Sequence, residues 1–501
     1  MTSRPAQLDR LQHENRFDVV VIGGGINGAC LYDRLCREGY RVLLVDRGDF
    51  ASGTSQASGM MIWGGLLYLR TFDIASVLRL SSDRDRIIER KAGWVTPELM
   101  RYLPPAGDRR ARWLAQAGLW LYWLMSRGRR RPPRGQTVFP EAGLIRPGLV
   151  GGALAYEEAV LGESDARFVY RWIAAPPMPG QIALNYAEVQ GDYAVQDRCW
   201  HLALTDVRSA RTHPIRAALV VNCAGVWTDR VNAVFGIDSP WRHVLSKGVY
   251  LGLPRHAEHH ASLFFELGSH QDVITHVPWG PISLWGPTET TVETIEEGRV
   301  ASPEDLDFLL DHYARRYRRP FDRSDIVSVR CGIRPLVVDR HSRFDGYSLD
   351  LSRRQEVVRH ADKPWISCYG GKITGCSRMA ERVWREIRKS IAATGQRRVD
   401  HAAMQSRAPQ VRFDGIAAPV PSPAWTAEHE MCCTLEDYLR RRTNLAQWIA
   451  RGGWGPDDSN APALTAMALE IAQGDAHAAA AMLQGYRHQV RSTLDPLLNT
   501  R

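Results

Sequence analysis

With 501 residues, 44% of them hydrophobic, the chain is long enough for two or three domains with sizeable buried cores, which excludes a disordered or fibrous protein. Nine cysteines, an odd number with no Cys-x-x-Cys pair, argue against a disulfide framework or a structural zinc site, and no metal site is expected. The formal charge of +9 is spread along the chain without a nucleic-acid-binding motif, and no cationic-then-apolar segment opens it, so a cytoplasmic protein without a nucleic-acid partner is expected.

The first predicted elements are a strand, a glycine turn, a helix and a second strand over Phe17 to Asp46. Gly23, Gly25 and Gly28 satisfy G-x-G-x-x-G directly after the apolar run Val19 to Ile22. In that pattern the first glycine permits the tight turn, the second lets the backbone approach a pyrophosphate, and the third lets helix and strand pack closely. Amides at the helix start then face the phosphates. Asp46, closing the second strand, is placed to accept from a ribose hydroxyl. The unit therefore predicts a bound dinucleotide.

A Ser/Gly loop follows over Ala51 to Gly65, then a largely helical, arginine-rich stretch to about Arg134. Within it, Ala111 to Arg134 concentrates Trp113, Trp120 and Trp123 ahead of Arg127, Arg129, Arg130 and Arg131. Its apolar part is shorter than the roughly 20 residues that span a bilayer. It reads first as a core helix ending in a solvated basic loop, and second as a peripheral membrane contact with rings at headgroup depth. Ser164 is placed to cap a helix over the next residues. Ala217 to Val221 reads as a buried strand running into the small-residue turn at Gly225. Alternation suggests an antiparallel sheet between about Trp241 and Ser302. Two more glycine turns lie between Arg330 and Lys372, a long helix is expected from Ile373 to Thr394, and an alanine-rich helical pattern follows Pro419.

Taken in order, IGGGINGA, GTSQASG, GGLLYL, VNCAGVW, KGVYLGLP, GIRPL, GGKITG and TLEDYLRRRT make the chain resemble the FAD-dependent glycerol-3-phosphate dehydrogenase family. The resemblance implies an α/β fold: an FAD-binding Rossmann-like domain, an antiparallel β-sheet substrate domain and a C-terminal helical domain. The expected division is 15-85, 150-235 and 325-395 for the discontinuous FAD domain, 86-149 and 236-324 for the substrate domain, and 405-501 for the helical one. Gly23, Gly25, Asn27, Gly28, Asp46, Ser52, Thr54, Ser55, Gly64, Gly225, Gly371, Lys372 and Thr374 are then expected to hold FAD. Attachment is expected to be non-covalent, because the histidine that might carry a covalent link is Trp63 here.

The resemblance further implies that Arg334 and Lys372 line the substrate site, the first as a planar fork for an anion and the second as a movable point charge. Where the family has S-S-K-L-I-H-G-G-L-R-Y-L, this chain has Ser58 to Leu69 with Met60, Trp63 and Leu67 in place of lysine, histidine and arginine. Tyr250 stands where a further histidine is expected, and takes its place as a catalytic candidate beside Arg334 and Lys372. Trp63, Leu67, Tyr68 and Arg334 are the expected substrate contacts, with Trp279 near them. These departures predict an FAD-dependent oxidoreductase that passes hydride from a CH–OH or CH–NH group to flavin N5, on a substrate other than glycerol 3-phosphate, with a quinone or oxygen as electron acceptor. Two rival readings stand beside it. One is glycerol-3-phosphate dehydrogenation with a rearranged phosphate site using Arg70 or Arg330. The other is a non-catalytic FAD-binding protein associated with a membrane or partner.

Overall fold

The computed structural model describes residues 3–267, 273–342, 354–398 and 408–499. The expected start of the helical domain, at 405, lies outside them.

Two sheets and a helical tail organise the chain. The first sheet has eight strands, with Gln355–Arg359, Trp365–Gly370, Thr212–Asn222, Arg16–Ile22, Val42–Val45 and Gln181–Leu184 side by side. The last five of these are mutually parallel. A parallel sheet is covered on both faces, so its strands are continuously apolar rather than alternating. Val19, Val20, Val21, Val42, Leu43, Leu44, Leu219, Val220 and Val221 are accordingly all buried. Helix Ile26–Arg37 packs on one face against helices Asp165–Ile173 and Cys376–Ile387. Ser164 caps the second of these, its hydroxyl accepting from Arg167 N–H at 3.1 Å.

The second sheet has ten strands and is built mostly of antiparallel pairs, the longest being Trp241–Pro254 against Ser328–Asp339. Its core packs Trp285 and Phe265 of the sheet against Tyr313 of helix Pro303–Ala314 and Tyr317 just beyond it. The tail contributes helices Ala461–Ile471 and Ala476–Thr493 around a core that includes Leu439, Trp454 and Leu464.

Several expected placements are corrected. Strands Met61–Ile62, Ala153–Leu161 and Ser328–Asp339 fall within segments assigned to the FAD domain, yet they pair into the second sheet. Short apolar runs do not carry the identity of their partner strand, so the sequence could not place them. The stretch read as largely helical contains strand Val95–Leu103, whose pattern is interrupted by Pro97 and Glu98. The long helix expected from Ile373 is a single tight turn, Ile373–Gly375, followed by a helix that stops at Ile387.

A buried clamp joins the tail to the first sheet. Arg441 and Arg442, on the helical turn Asp437–Arg442, both reach Asp49, at 2.7 and 2.8 Å. Burial alone would raise the Asp49 carboxyl, but Arg442 and Arg441 hold it down at about 2.

Candidate active site

The dinucleotide cradle is shaped by the backbone at the carboxyl end of the central strand. Gly23 has φ +103, and a side chain there or on Gly28 would overlap the carbonyl of Cys223 or of Gly23 itself. Only glycine satisfies both positions. Gly24 N–H donates to Asp46 Oδ2 at 2.7 Å and Gly48 N–H donates to Oδ1 at 2.9 Å, so Asp46 fastens the second strand to the turn. Burial pushes its carboxyl up to about 7, against the opposing pull of those two amides. Ser55 Oγ accepts from Ile26 N–H at 3.0 Å, which lays the Ser52 to Ser55 loop on the helix N-terminus. Gln56 Nε2 donates to the Ser52 carbonyl at 2.7 Å and closes that loop.

Residues far apart in sequence complete the cradle. Thr54 Oγ1 donates to the carbonyl of Ile333 at 2.7 Å, tying the loop to the strand that carries Arg334. Asn27 Nδ2 donates to the Gly370 carbonyl at 3.1 Å, while Asn27 Oδ1 is buried with no hydrogen-bond partner among the described residues. Gly371 has φ +106 beside it, and Gly225 has φ +59 with open space around its Cα. A bare backbone, an orphaned amide oxygen and amides at a helix start fit a dinucleotide's phosphates and ring edges.

The Trp63–Gly64–Gly65 turn forms the border with the substrate side. Thr374 Oγ1 donates to the Trp63 carbonyl at 3.1 Å, and the Trp63 ring stacks on Phe264 with centroids 5.2 Å apart. Gly64 N–H donates to Glu158 at 3.1 Å. Its missing side chain makes room for Tyr122 and Arg84, which both bond to Glu158. Sequence reading missed this fully buried Arg84–Glu158 pair, because the two come from different elements and no motif joins them.

On the substrate side, the guanidinium of Arg334 pairs with Glu289 at 2.7 Å, and Glu289 also accepts from Ser246 Oγ. Gly248 leaves the space that the guanidinium fills. Glu289 was not foreseen, since its position depends on strand Thr290–Val292 pairing beside Ser246. Lys372 Nζ lies 4.3 Å from the centroid of the Tyr68 ring. Leu67 is half-buried on the same turn, Leu66–Thr71.

Tyr250 shares a strand face with Ser246, the partner of Arg334, but sits opposite Arg330. That places it four rungs along the ladder, roughly 14 Å from Ser246 at about 3.4 Å per residue. Its hydroxyl abuts Gly59 instead. The guanidinium of Arg334 itself lies over Gly248, two residues from Tyr250 on the same strand. The rival phosphate ligands are also engaged: Arg330 pairs with the fully buried Asp165 at 2.6 Å, beneath Trp279, and Arg70 pairs with Glu266.

A parallel sheet with a glycine cradle, abutting an antiparallel sheet that carries the charged side chains, defines a flavin-dependent oxidoreductase. Comparison with known proteins agrees. The family described as FAD dependent oxidoreductase matches residues 18–373, and the chain belongs to it, with FAD as its cofactor. It is 30% identical over 375 residues, 72% of its length, to glycerol-3-phosphate dehydrogenase 2 of Mycobacterium tuberculosis, and spans 61% of that relative. It is 27% identical over 390 residues, 76% of its length, to the aerobic glycerol-3-phosphate dehydrogenase of Staphylococcus saprophyticus, of which it covers 68%. Among solved structures, glycerol-3-phosphate dehydrogenase from Bacillus halodurans complexed with FAD superposes with TM-score 0.71 at 19% identity, covering 100% of each chain. Glycine oxidase from Geobacillus kaustophilus superposes with TM-score 0.53 at 18% identity, covering 77% of this chain and 100% of the other.

Proposed function

We propose that the enzyme removes hydride from a CH–OH or CH–NH carbon of a small anionic molecule that is not glycerol 3-phosphate, and passes the electrons on to a quinone or oxygen. FAD, held non-covalently by the cradle, supplies the hydride acceptor. The observation that carries this reading is the charge balance of the substrate wall. Leu67 stands where the related enzymes' motif has an arginine, and Arg334 already carries Glu289 as a counter-charge. A dianionic phosphate would meet a half-neutralised fork and an apolar side chain, whereas a carboxylate needs a single cationic contact.

In this reading Lys372 and Arg334 bind the anionic end, while Trp63, Leu67 and Tyr68 form the apolar wall that orients the reacting carbon. The Glu289 carboxylate takes the proton from the hydroxyl or amine as hydride leaves the carbon for the flavin, and Tyr250 contributes a hydroxyl on the same strand face. The test is anaerobic flavin bleaching with a panel of hydroxy acids, amino acids, polyols and their phosphates. A carboxylate-bearing donor should reduce the flavin fastest. Rapid bleaching by micromolar glycerol 3-phosphate would overturn the substrate assignment.

The names of the relatives favour glycerol 3-phosphate as a second reading. It would require Arg70 or Arg330 to leave Glu266 or Asp165, and removing one partner of a buried pair such as Arg330–Asp165 costs about 3–5 kcal/mol.

A further inference from the structure

The hairpin joining strands Ala187–Ala194 and Cys199–Asp206 carries a group of side chains that neither the cradle nor the substrate wall uses. Asp197 sits in the turn, and Cys199 and His201 follow it at alternate positions of the strand, so these two point to one face. Trp200 between them points the other way. It is fully buried against Phe235 and Trp365, and its indole N–H donates to the Pro364 carbonyl at 3.0 Å. That anchor fixes the rotation of the strand and holds Cys199 and His201 half-buried on the outer face.

On that face a thiol sulfur, an imidazole nitrogen and a carboxylate oxygen lie within 4.8 Å of one another. His201 Nε2 is 2.7 Å from Asp197 Oδ2. A tetrahedral zinc ion with bonds of about 2.0–2.3 Å separates its donors by roughly 3.3–3.6 Å, so small side-chain rotations bring all three to coordinating distance. The charges also suit a doubly charged ion, because a thiolate and a carboxylate together neutralise it. Asp192 and Arg216 face His201 from the two neighbouring strands and offset each other. One sulfur, one nitrogen and one oxygen donor select a borderline-soft transition metal over magnesium or calcium, which take oxygen ligands. A groove of about 690 Å³, lined in part by His201, Gln190, Arg16 and Arg216, opens beside the site and gives an ion access from solvent. Cys331 and Cys433, the other cysteines that are not fully buried, lack such company: no second group of three His, Cys, Asp or Glu donors lies this close among the described residues.

We infer that Asp197, Cys199 and His201 form a binding site for a divalent transition metal ion of the zinc class, with water in the fourth position. The lack of a Cys-x-x-Cys pair rules out a site built on paired thiolates and does not bear on this one, whose donors alternate as Asp-x-Cys-x-His. Bound there, the ion ties the hairpin turn to its strand, and the thiol gives up its proton on binding. The site lies away from the flavin. His201 is opposite Arg216, itself beside Arg16 at the start of the central strand, whereas the cradle begins after Asn222. Six residues of strand at about 3.3 Å each put roughly 20 Å between them. The ion therefore acts on the stability of the sheet's flank and not on the reaction, and the inference does not depend on the substrate proposed above.

The test titrates flavin-loaded full-length enzyme, reduced and stripped with a chelator, with Zn²⁺ alone by calorimetry and with Co²⁺ by absorption to the red of the flavin bands. A single equivalent of Zn²⁺ should bind at micromolar concentration or tighter and raise the melting temperature, and Co²⁺ should give the intense bands of a four-coordinate ion. Cys199→Ser and His201→Asn should each weaken zinc binding at least about tenfold and abolish the thermal shift, while the flavin spectrum stays unchanged. Cys433→Ser should leave binding intact, and loss of binding there instead would place the metal elsewhere and overturn the inference. So would the absence of a saturable equivalent in the unaltered enzyme, or equal binding by a variant combining Cys199→Ser with His201→Asn. Weak Co²⁺ bands of an oxygen-ligated, six-coordinate ion would overturn it as well.

Discussion

The cofactor cradle and the substrate wall are built by different means. The cradle is a matter of where the backbone comes close: Gly23, Gly28 and Gly371 are bare, and Asp46 and Ser55 bond main-chain amides. The wall is a matter of charge, and its cations already hold partners: Arg334 with Glu289, Arg330 with Asp165 and Arg70 with Glu266. Shape in the first region fixes which cofactor enters. In the proposed reading, charge balance in the second decides which substrate is held, and that balance depends on strand register more than on any short motif.

The contrast is tested most sharply at Gly28. Gly28→Val places a side chain against the Gly23 carbonyl and should cost about 3 kcal/mol or more. The protein should purify without flavin, read from the ratio of visible to ultraviolet absorbance. A normally loaded variant would show that the backbone does not set the cradle. Next in size is Leu67→Arg on the wall. A restored charge-assisted contact should raise kcat/KM for glycerol 3-phosphate by about one to two decades, or roughly 1.5–3 kcal/mol. No change would mean that phosphate, if used at all, sits elsewhere.

Acid should separate the two regions. The second sheet buries His259 and His276, their rings 4.1 Å apart. Burial, reinforced by Arg255, lowers His259 to about 3, and burial with His259 and His256 lowers His276 well below its usual value. Both are neutral when folded, and both gain a proton on unfolding below about pH 6.5. Stability is therefore complete above that pH and is lost as pH falls toward the folded values, by about 1.4 kcal/mol per pH unit for each histidine. Thermal melts from pH 7 to pH 5 should show this slope, and it should flatten in a His259→Asn, His276→Asn variant. The smallest effect on binding is expected from Glu289→Gln, which frees Arg334 of its counter-charge while removing the proposed proton acceptor. Inorganic phosphate or a carboxylate inhibitor should bind about tenfold tighter, measured by competition. Unchanged inhibition would remove Glu289 from the charge balance.

The sequence made the cradle legible because its requirements are local. Gly23, Gly25 and Gly28 fall within six residues, and Asp46 ends the next strand. It pointed to Arg334 and Lys372 through their glycine and proline surroundings, but not to Glu289 or Glu158, which are positioned by pairing with distant strands, nor to Arg84, which arrives from helix Ile74–Arg90. Strand Val95–Leu103 escaped notice for the same reason: it is held by strand Ala153–Leu161 and by a parallel neighbour, Ser262–Glu266. The core-helix reading of residues 111–134 failed differently, since helix Arg109–Met125 buries only Leu119 and Tyr122. The apolar positions were correctly seen, but nothing in the sequence said which side of the helix the second sheet would occupy.

The Asp49 clamp has a consequence for the order in which the molecule is assembled. Asp49 follows the second strand of the cradle by four residues, yet its counter-charge Arg442 lies 393 positions later. Until that arginine exists, folding the first sheet would bury a bare carboxylate, at a cost of several kcal/mol. Synthesis therefore delivers the most local motif in the chain early and its electrostatic support late, so a flavin pocket with a compensated Asp49 requires synthesis through Arg442.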